Sequence, residues 1–223
     1  MTRSFSLLAL IGANLVPLIG ALFYDWDASL VLALFWIENL IIGAFNLIKM
    51  LILAAREMRP NGLFLCFFFV LHYGLFCSAH GLLLWDLLNL GKVGASVYFG
   101  DIGFGPLELF AEGATVLIGF IDVHGSAILL GIVALALSHL VSFIEHFILR
   151  GEIFSLTNRD MMARPYGQIL AMHAGLILGA VAIDKFGSTA ALLAVIVGLK
   201  LFIDFMQHKR RHKLSSKQTT QTS

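Results

Sequence analysis

Glu38, His72, His139 and His173 stand inside long apolar runs, where a side chain that gains or loses a proton is costly and each one is a candidate functional group. Asn39 and Asn46 share the run of Glu38, His80 that of His72, and Ser142, Glu145 and His146 that of His139, while Asp204 lies in the last run. Three neutral imidazoles and a carboxylate suit Zn, Fe or Cu, and three protein ligands with an open fourth position are the arrangement that activates a metal-bound water. On that reading His72, His139 and His173 are metal ligands, Glu38 is a fourth ligand or the general base, and His80, His146 and Glu145 form an outer tier. Haem ranks below a bare ion, because nothing selects it beyond the room that Gly and Ala leave in the fourth and fifth runs. No His-Glu-x-x-His or Cys-x-x-Cys spacing occurs, so the set is united by position in the membrane alone. The competing readings are a titrating proton or ion pathway through the same residues, and a polar packing core in which each histidine is a helix-to-helix hydrogen-bond partner.

The elements that must position these residues are membrane-spanning helices. With 59% hydrophobic and 13% charged residues and a mean hydropathy of +0.89, the 223-residue chain lies far outside the composition of soluble domains. Six apolar stretches, 4–23, 28–54, 63–84, 126–149, 166–183 and 189–206, approach or exceed the ~20 residues a crossing needs. The charged connections alternate: Asp25 and Asp27 follow the first, Lys49, Arg56 and Arg59 the second, and five acids against Lys92 the third. Arg150, Arg159 and Arg164 follow the fourth, Asp184 and Lys185 the fifth, and a basic cluster the sixth. Twelve of the 15 Lys and Arg residues fall on one side, which the positive-inside rule assigns to the cytoplasm. The expected fold is therefore an all-α, six-helix transmembrane bundle over residues 1–208, multi-pass in a bacterial inner (plasma) membrane with both termini cytoplasmic. A disordered basic tail, 209–223, follows it. Between the third and fourth helices the run 103–120, interrupted by Glu108 and Glu112, reads as a re-entrant or interface-lying segment.

Counted inward at ~1.5 Å per residue from the outer ends, His72 lies at roughly 16 to 18 Å, His139 at roughly 18 to 20 Å, His173 at roughly 15 to 16 Å and Glu38 at roughly 15 Å. The three histidines share a level near the midplane, and Glu38, a turn or so further out, reaches it with its flexible side chain. Positions 139, 142 and 146 also share one helical face.

The remaining signals are structural. Arg3 alone precedes the first run and no A-x-A-like site follows it, so that run reads as a retained helix. Cys66 and Cys77 are roughly 16 Å apart along one helix and cannot bridge. Trp26, Trp36 and Trp85 read as an aromatic belt, and Gly74, Gly81, Gly175 and Gly179 as points of close helix approach. Arg164-Pro165-Tyr166 marks the start of the fifth helix. The basic residues form short blocks between apolar runs at a net charge of +1, which excludes a nucleic-acid surface. The partners expected are the bilayer, a small-molecule substrate of unspecified identity and, for some architectures, a second copy in a homo-oligomer.

The segments His72-Tyr73-Gly74-Leu75-Phe76 with His80-Gly81, Ser138-His139-Leu140-Val141-Ser142-Phe143, and Pro165-Tyr166-Gly167 leading to Met172-His173 resemble an uncharacterised family of bacterial multi-pass inner-membrane proteins, defined only as a domain of unknown function. The resemblance covers most of the chain from the second helix through the fifth. It implies a location and points to the same three histidines, without implying an activity.

Overall fold

A computed structural model describes residues 27–57, 60–91, 105–187 and 192–199. These residues are helical or in short connections, with no strand among them. The chain divides into two compact units, Ser29–Ile169 and Met1–Ala28 with Leu170–Ser223. The expected first helix and the basic tail lie outside the described residues, as does the expected sixth except for 192–199. Among the described residues, four helices are long and apolar enough to cross a membrane: Ala28–Arg56, Asn61–Leu87, Gly105–Leu149 and Asn158–Phe186.

In the larger unit, α1 (Ala28–Glu57) and α2 (Pro60–Leu87) form an antiparallel hairpin. Proline opens α2, where its missing N–H is no loss, and Asn89 (φ 54°) and Gly91 (φ 98°) follow its end in left-handed conformations. The Tyr73 ring lies on Gly43, the Trp36 ring on Gly81, and Ala54 beside Gly62, so the order of contacts runs in opposite senses along the two helices. The Tyr73 hydroxyl donates to the Asn39 carbonyl (2.9 Å) and the Trp36 indole to the Cys77 carbonyl (2.8 Å). Trp36 and Trp85 are thus core residues rather than members of a belt, because glycines opposite leave room for the rings and carbonyls accept their N–H groups. Cys66 and Cys77 are buried free thiols, as their separation requires.

The next helix, α3 (Gly105–Ser142), continues through a π-helical stretch, Phe143–Leu149. A straight helix of these 45 residues would reach about 67 Å at ~1.5 Å per residue, over twice the thickness of a hydrocarbon core. It is not straight. Gly125 has φ 56° and ψ −130°, outside helical values, and the two arms it joins follow different partners. Along the first arm, Phe110 meets Gly74, Gly113 meets Ser78 and Gly119 meets Trp85, so 105–124 runs in the same direction as α2. Along the second, Gly131 meets Leu34, His139 stacks on Phe45, and Phe143 and Phe147 lie under Lys49, so 126–149 runs with α1. Since α1 and α2 are antiparallel, the chain reverses at Gly125. Among the described residues, the first arm lies against the half of α2 towards Gly125, from about its middle onwards. Beyond Phe110 the seam is an open apolar groove of about 160 Å³, lined by Leu40, Gly43, Leu47, Phe69 and Tyr73.

At the Glu57 end, α4 (Glu152–Ser155) and α5 (Asn158–Ala163) link the second arm to α6 (Tyr166–Phe186). Thr157 caps α5 in a reciprocal pair with Asp160, and Arg164 binds Glu152 (3.1 Å). The buried Asn158 amide donates to the Met50 carbonyl (2.8 Å) and accepts from the Ala54 N–H (3.2 Å), tying the connection to the backbone of α1. In the smaller unit, Gly175 packs on Ile196 and Gly179 on Leu192, an antiparallel pairing of α6 with the helical run 192–199 that uses the small-x-x-x-small spacing.

Gly125→Ala is expected to destabilise the detergent-solubilised protein by about 1–3 kcal/mol, since φ and ψ there suit glycine alone. Gly105→Ala, with open space around the added methyl, leaves the thermal midpoint unchanged or slightly raised. Asn158→Ala leaves two buried backbone groups with one partner fewer and costs about 1–3 kcal/mol.

Candidate functional site

Two helices running side by side bring Glu38 and His139 together. His139 Nε2 lies 3.8 Å from Glu38 Oε1, a separation that suits an ion pair but is too long for a direct hydrogen bond. Their side chains keep 18% and 27% of their exposure for Glu38 and His139 respectively, and the Phe45 ring stacks on the imidazole at 6.3 Å. The pair sits at mid-height: the neighbouring Asn39 carbonyl accepts from Tyr73, which is near the middle of α2. Asn39 is itself buried. Its amide donates to the Phe35 carbonyl (2.9 Å), while its Oδ1 has no hydrogen-bond partner among the described residues.

A carboxylate facing an imidazole can hold one proton in two arrangements, charged on both groups or neutral on both. The aromatic wall of Phe45 keeps bulk water from one face of the imidazole.

The other expected residues lie elsewhere. His72 is hydrogen-bonded through Nδ1 to the Tyr166 hydroxyl (2.8 Å), stacked on Phe68 (5.2 Å) and edge-on to Phe76 (5.1 Å). His80 is buried beside Phe76. His146 donates from Nδ1 to the Ser142 carbonyl (3.2 Å), and Glu145 is paired with Arg150 at the end of the π-helical stretch. His173 is exposed on α6 in the smaller unit. Among the described residues, no three His, Cys, Asp or Glu side chains are gathered so as to hold a metal ion. A common depth places side chains on one plane, but their azimuths decide which neighbours they meet, and His72 turns to the aromatic cluster of Phe68, Phe76 and Tyr166.

Two participants escaped the sequence reading. Tyr166, which the sequence marks only as a helix-start residue, is the partner of His72. His124 stacks on Phe120 (6.2 Å) and lies 3.3 Å from the Ser29 hydroxyl just before the turn at Gly125. Its signal was available, a histidine one residue ahead of a glycine in a segment too long for one crossing.

Residues 1–221 match a family described as a "Family of unknown function (DUF6498)". The chain belongs to this family. No curated protein and no solved structure is significantly similar to it.

A double-mutant cycle on thermal or denaturant stability is expected to give a coupling of about 0.5–3 kcal/mol between Glu38→Gln and His139→Ala. Glu38→Gln and His72→Ala, whose side chains have different partners, should add within about 0.3–0.5 kcal/mol. Equal coupling in both cycles would mean that the three residues act as one cluster.

Proposed function

We propose that this protein is a multi-pass membrane protein that relays protons, alone or coupled to another ion, through the Glu38–His139 pair. The observation that carries this reading is the 3.8 Å approach of a carboxylate and an imidazole from two parallel helices at mid-height. Groups of this kind are costly in hydrocarbon and mark proton pathways in pumps and transporters. The buried Asn39 Oδ1 on the next residue supports it, since an acceptor without a partner in the described residues suits a water molecule shared with the relay.

In this reading the chain makes six crossings of a bacterial inner membrane with both termini in the cytoplasm. The Glu57 end of the larger unit is the cytoplasmic one, supported by Lys49, Arg56, Arg150, Arg159 and Arg164 at that end against Asp86 and Asp122 at the other. The arm 105–124 is the re-entrant segment, entering beside the outer half of α2 without crossing, and 126–149 is the fourth crossing.

Reconstituted into liposomes holding a pH-sensitive dye, the wild-type protein is expected to acidify or alkalinise the lumen under an imposed potential. Glu38→Gln and His139→Ala should each slow this by about a hundredfold or more, the scale of a lost proton-transfer group. Flux that is unaltered in both variants removes the relay. A transition-metal centre of Zn, Fe or Cu is the second reading of the same pair, which supplies two of the three protein ligands that an open catalytic site takes. Stoichiometric metal that disappears in His139→Ala would put that reading first.

A further inference from the structure

We propose that Lys49 and Arg56, on the face of α1 that meets Phe143, Phe147 and Phe154, hold the headgroup phosphate of an anionic phospholipid at the Glu57 end of the larger unit. The site rests on the membrane placement given above and is independent of the relay.

Lys49 stands eight residues before the end of α1, about 12 Å inside it at ~1.5 Å per residue. Its side chain is half-buried, and its ammonium lies over the faces of Phe143 and Phe147, 5.9 and 5.7 Å from the ring centroids. Arg56 follows seven residues later, about 20° away in azimuth at ~100° per residue, so the two cations share one stripe of the helix. The Arg56 guanidinium donates to the Ile153 carbonyl and lies over the Phe154 ring at 5.7 Å. Aromatic rings from the π-helical stretch and from α4 thus hold both cations on the same side of α1.

Neither cation forms an ion pair with a carboxylate among the described residues. The acids at this end are taken: Glu145 pairs with Arg150, Glu152 with Arg164 (3.1 Å), and Asp160 caps α5 with Thr157. Glu152 is the acid whose charge reaches Lys49, and the charge of Arg164 opposes it there. A ring face attracts a cation without neutralising it, and an unpaired positive group inside a membrane helix is costly. The anion that a bilayer supplies at the end of a crossing is the lipid phosphate. Its oxygens suit both groups, an ammonium as a point charge and a guanidinium that still has N–H donors beyond the one given to Ile153. The acyl chains find exposed apolar side chains on the same segments, Ile48 and Leu51 of α1, Ile148 of the second arm and Phe154 of α4.

The test is binding of fluorescent phosphatidylglycerol to the full chain in detergent micelles, with fluorescent phosphatidylcholine as the zwitterionic reference. The wild-type protein is expected to prefer phosphatidylglycerol by about tenfold or more. Lys49→Met, which keeps an apolar stem, and Arg56→Gln should each weaken phosphatidylglycerol binding by about fivefold and leave phosphatidylcholine binding unchanged. Lys49→Arg should keep the wild-type preference, and Arg150→Gln, whose cation Glu145 already holds, should stay within about twofold of it. Equal affinity of the wild type for the two lipids overturns the site, and that comparison needs no variant. A loss in Arg150→Gln as large as in Lys49→Met also overturns it, in favour of a diffuse basic surface. So does displacement of the bound lipid by millimolar inorganic phosphate, which would assign the cations to a soluble phosphate compound. Release of the wild-type protein from membranes by alkaline carbonate would discard the membrane placement and the site with it. Lipid preference without proton flux keeps the site and discards the relay, whereas flux without lipid preference discards the site alone.

Discussion

The reversal of the chain at Gly125 sets the arrangement of everything around it in the larger unit. A helix in hydrocarbon must keep its peptide groups bonded, so it can turn back only where the freed groups reach other protein or water. Gly125 makes the turn with a φ of 56° and ψ of −130° that a side chain would oppose. On one side of that residue the arm follows α2 and stops the coverage of the α1–α2 seam at Phe110. On the other side the arm follows α1 and carries His139 to Glu38. A straight continuation would place neither contact.

Close packing keeps the two arms where the turn sends them. Lipid tails are as apolar as the side chains they meet, so helices in a membrane are held by shape and by polar contacts more than by exclusion of water. Here the shape is made by glycine against a large side chain: Gly43 with Tyr73, Gly74 with Phe110, Gly81 with Trp36, Gly119 with Trp85 and Gly131 with Leu34. Gly113 goes further and admits the backbone of α2 at Ser78. The polar tips of the rings are satisfied by carbonyls, Tyr73 on Asn39, Trp36 on Cys77 and Trp85 on Gly91. The same interactions leave the outward faces to residues such as Phe64, Phe67, Leu130 and Val133, whose exposure is what a lipid-facing surface requires.

The polar residues of the larger unit divide into those that tie one element to another and the pair at the proposed relay. His72 with Tyr166, His146 with the Ser142 carbonyl, Glu145 with Arg150 and Asn158 with α1 belong to the first group. Glu38 and His139 face each other across two helices beside the buried Asn39 oxygen. The proposed relay is built on the Glu38–His139 pair.

Helix identity and extent were legible in the residue pattern, because an uninterrupted apolar run of this length is stable only as a helix with its backbone bonds closed. The runs 28–54, 63–84 and 166–183 fall within α1, α2 and α6, and residue type and depth single out Glu38 and His139 together with His72 and His173. Depth follows from the rise per residue, a property of one helix. Azimuth and register do not, since they depend on which side chains find room against a neighbour. That is why His72 turned to Tyr166 while His139 met Glu38, and why Trp36 went inward at Gly81. The direction of 105–124 lay beyond the sequence for the same reason: only its contacts with Gly74, Ser78 and Trp85 decide that it runs with α2 and begins half-way along it.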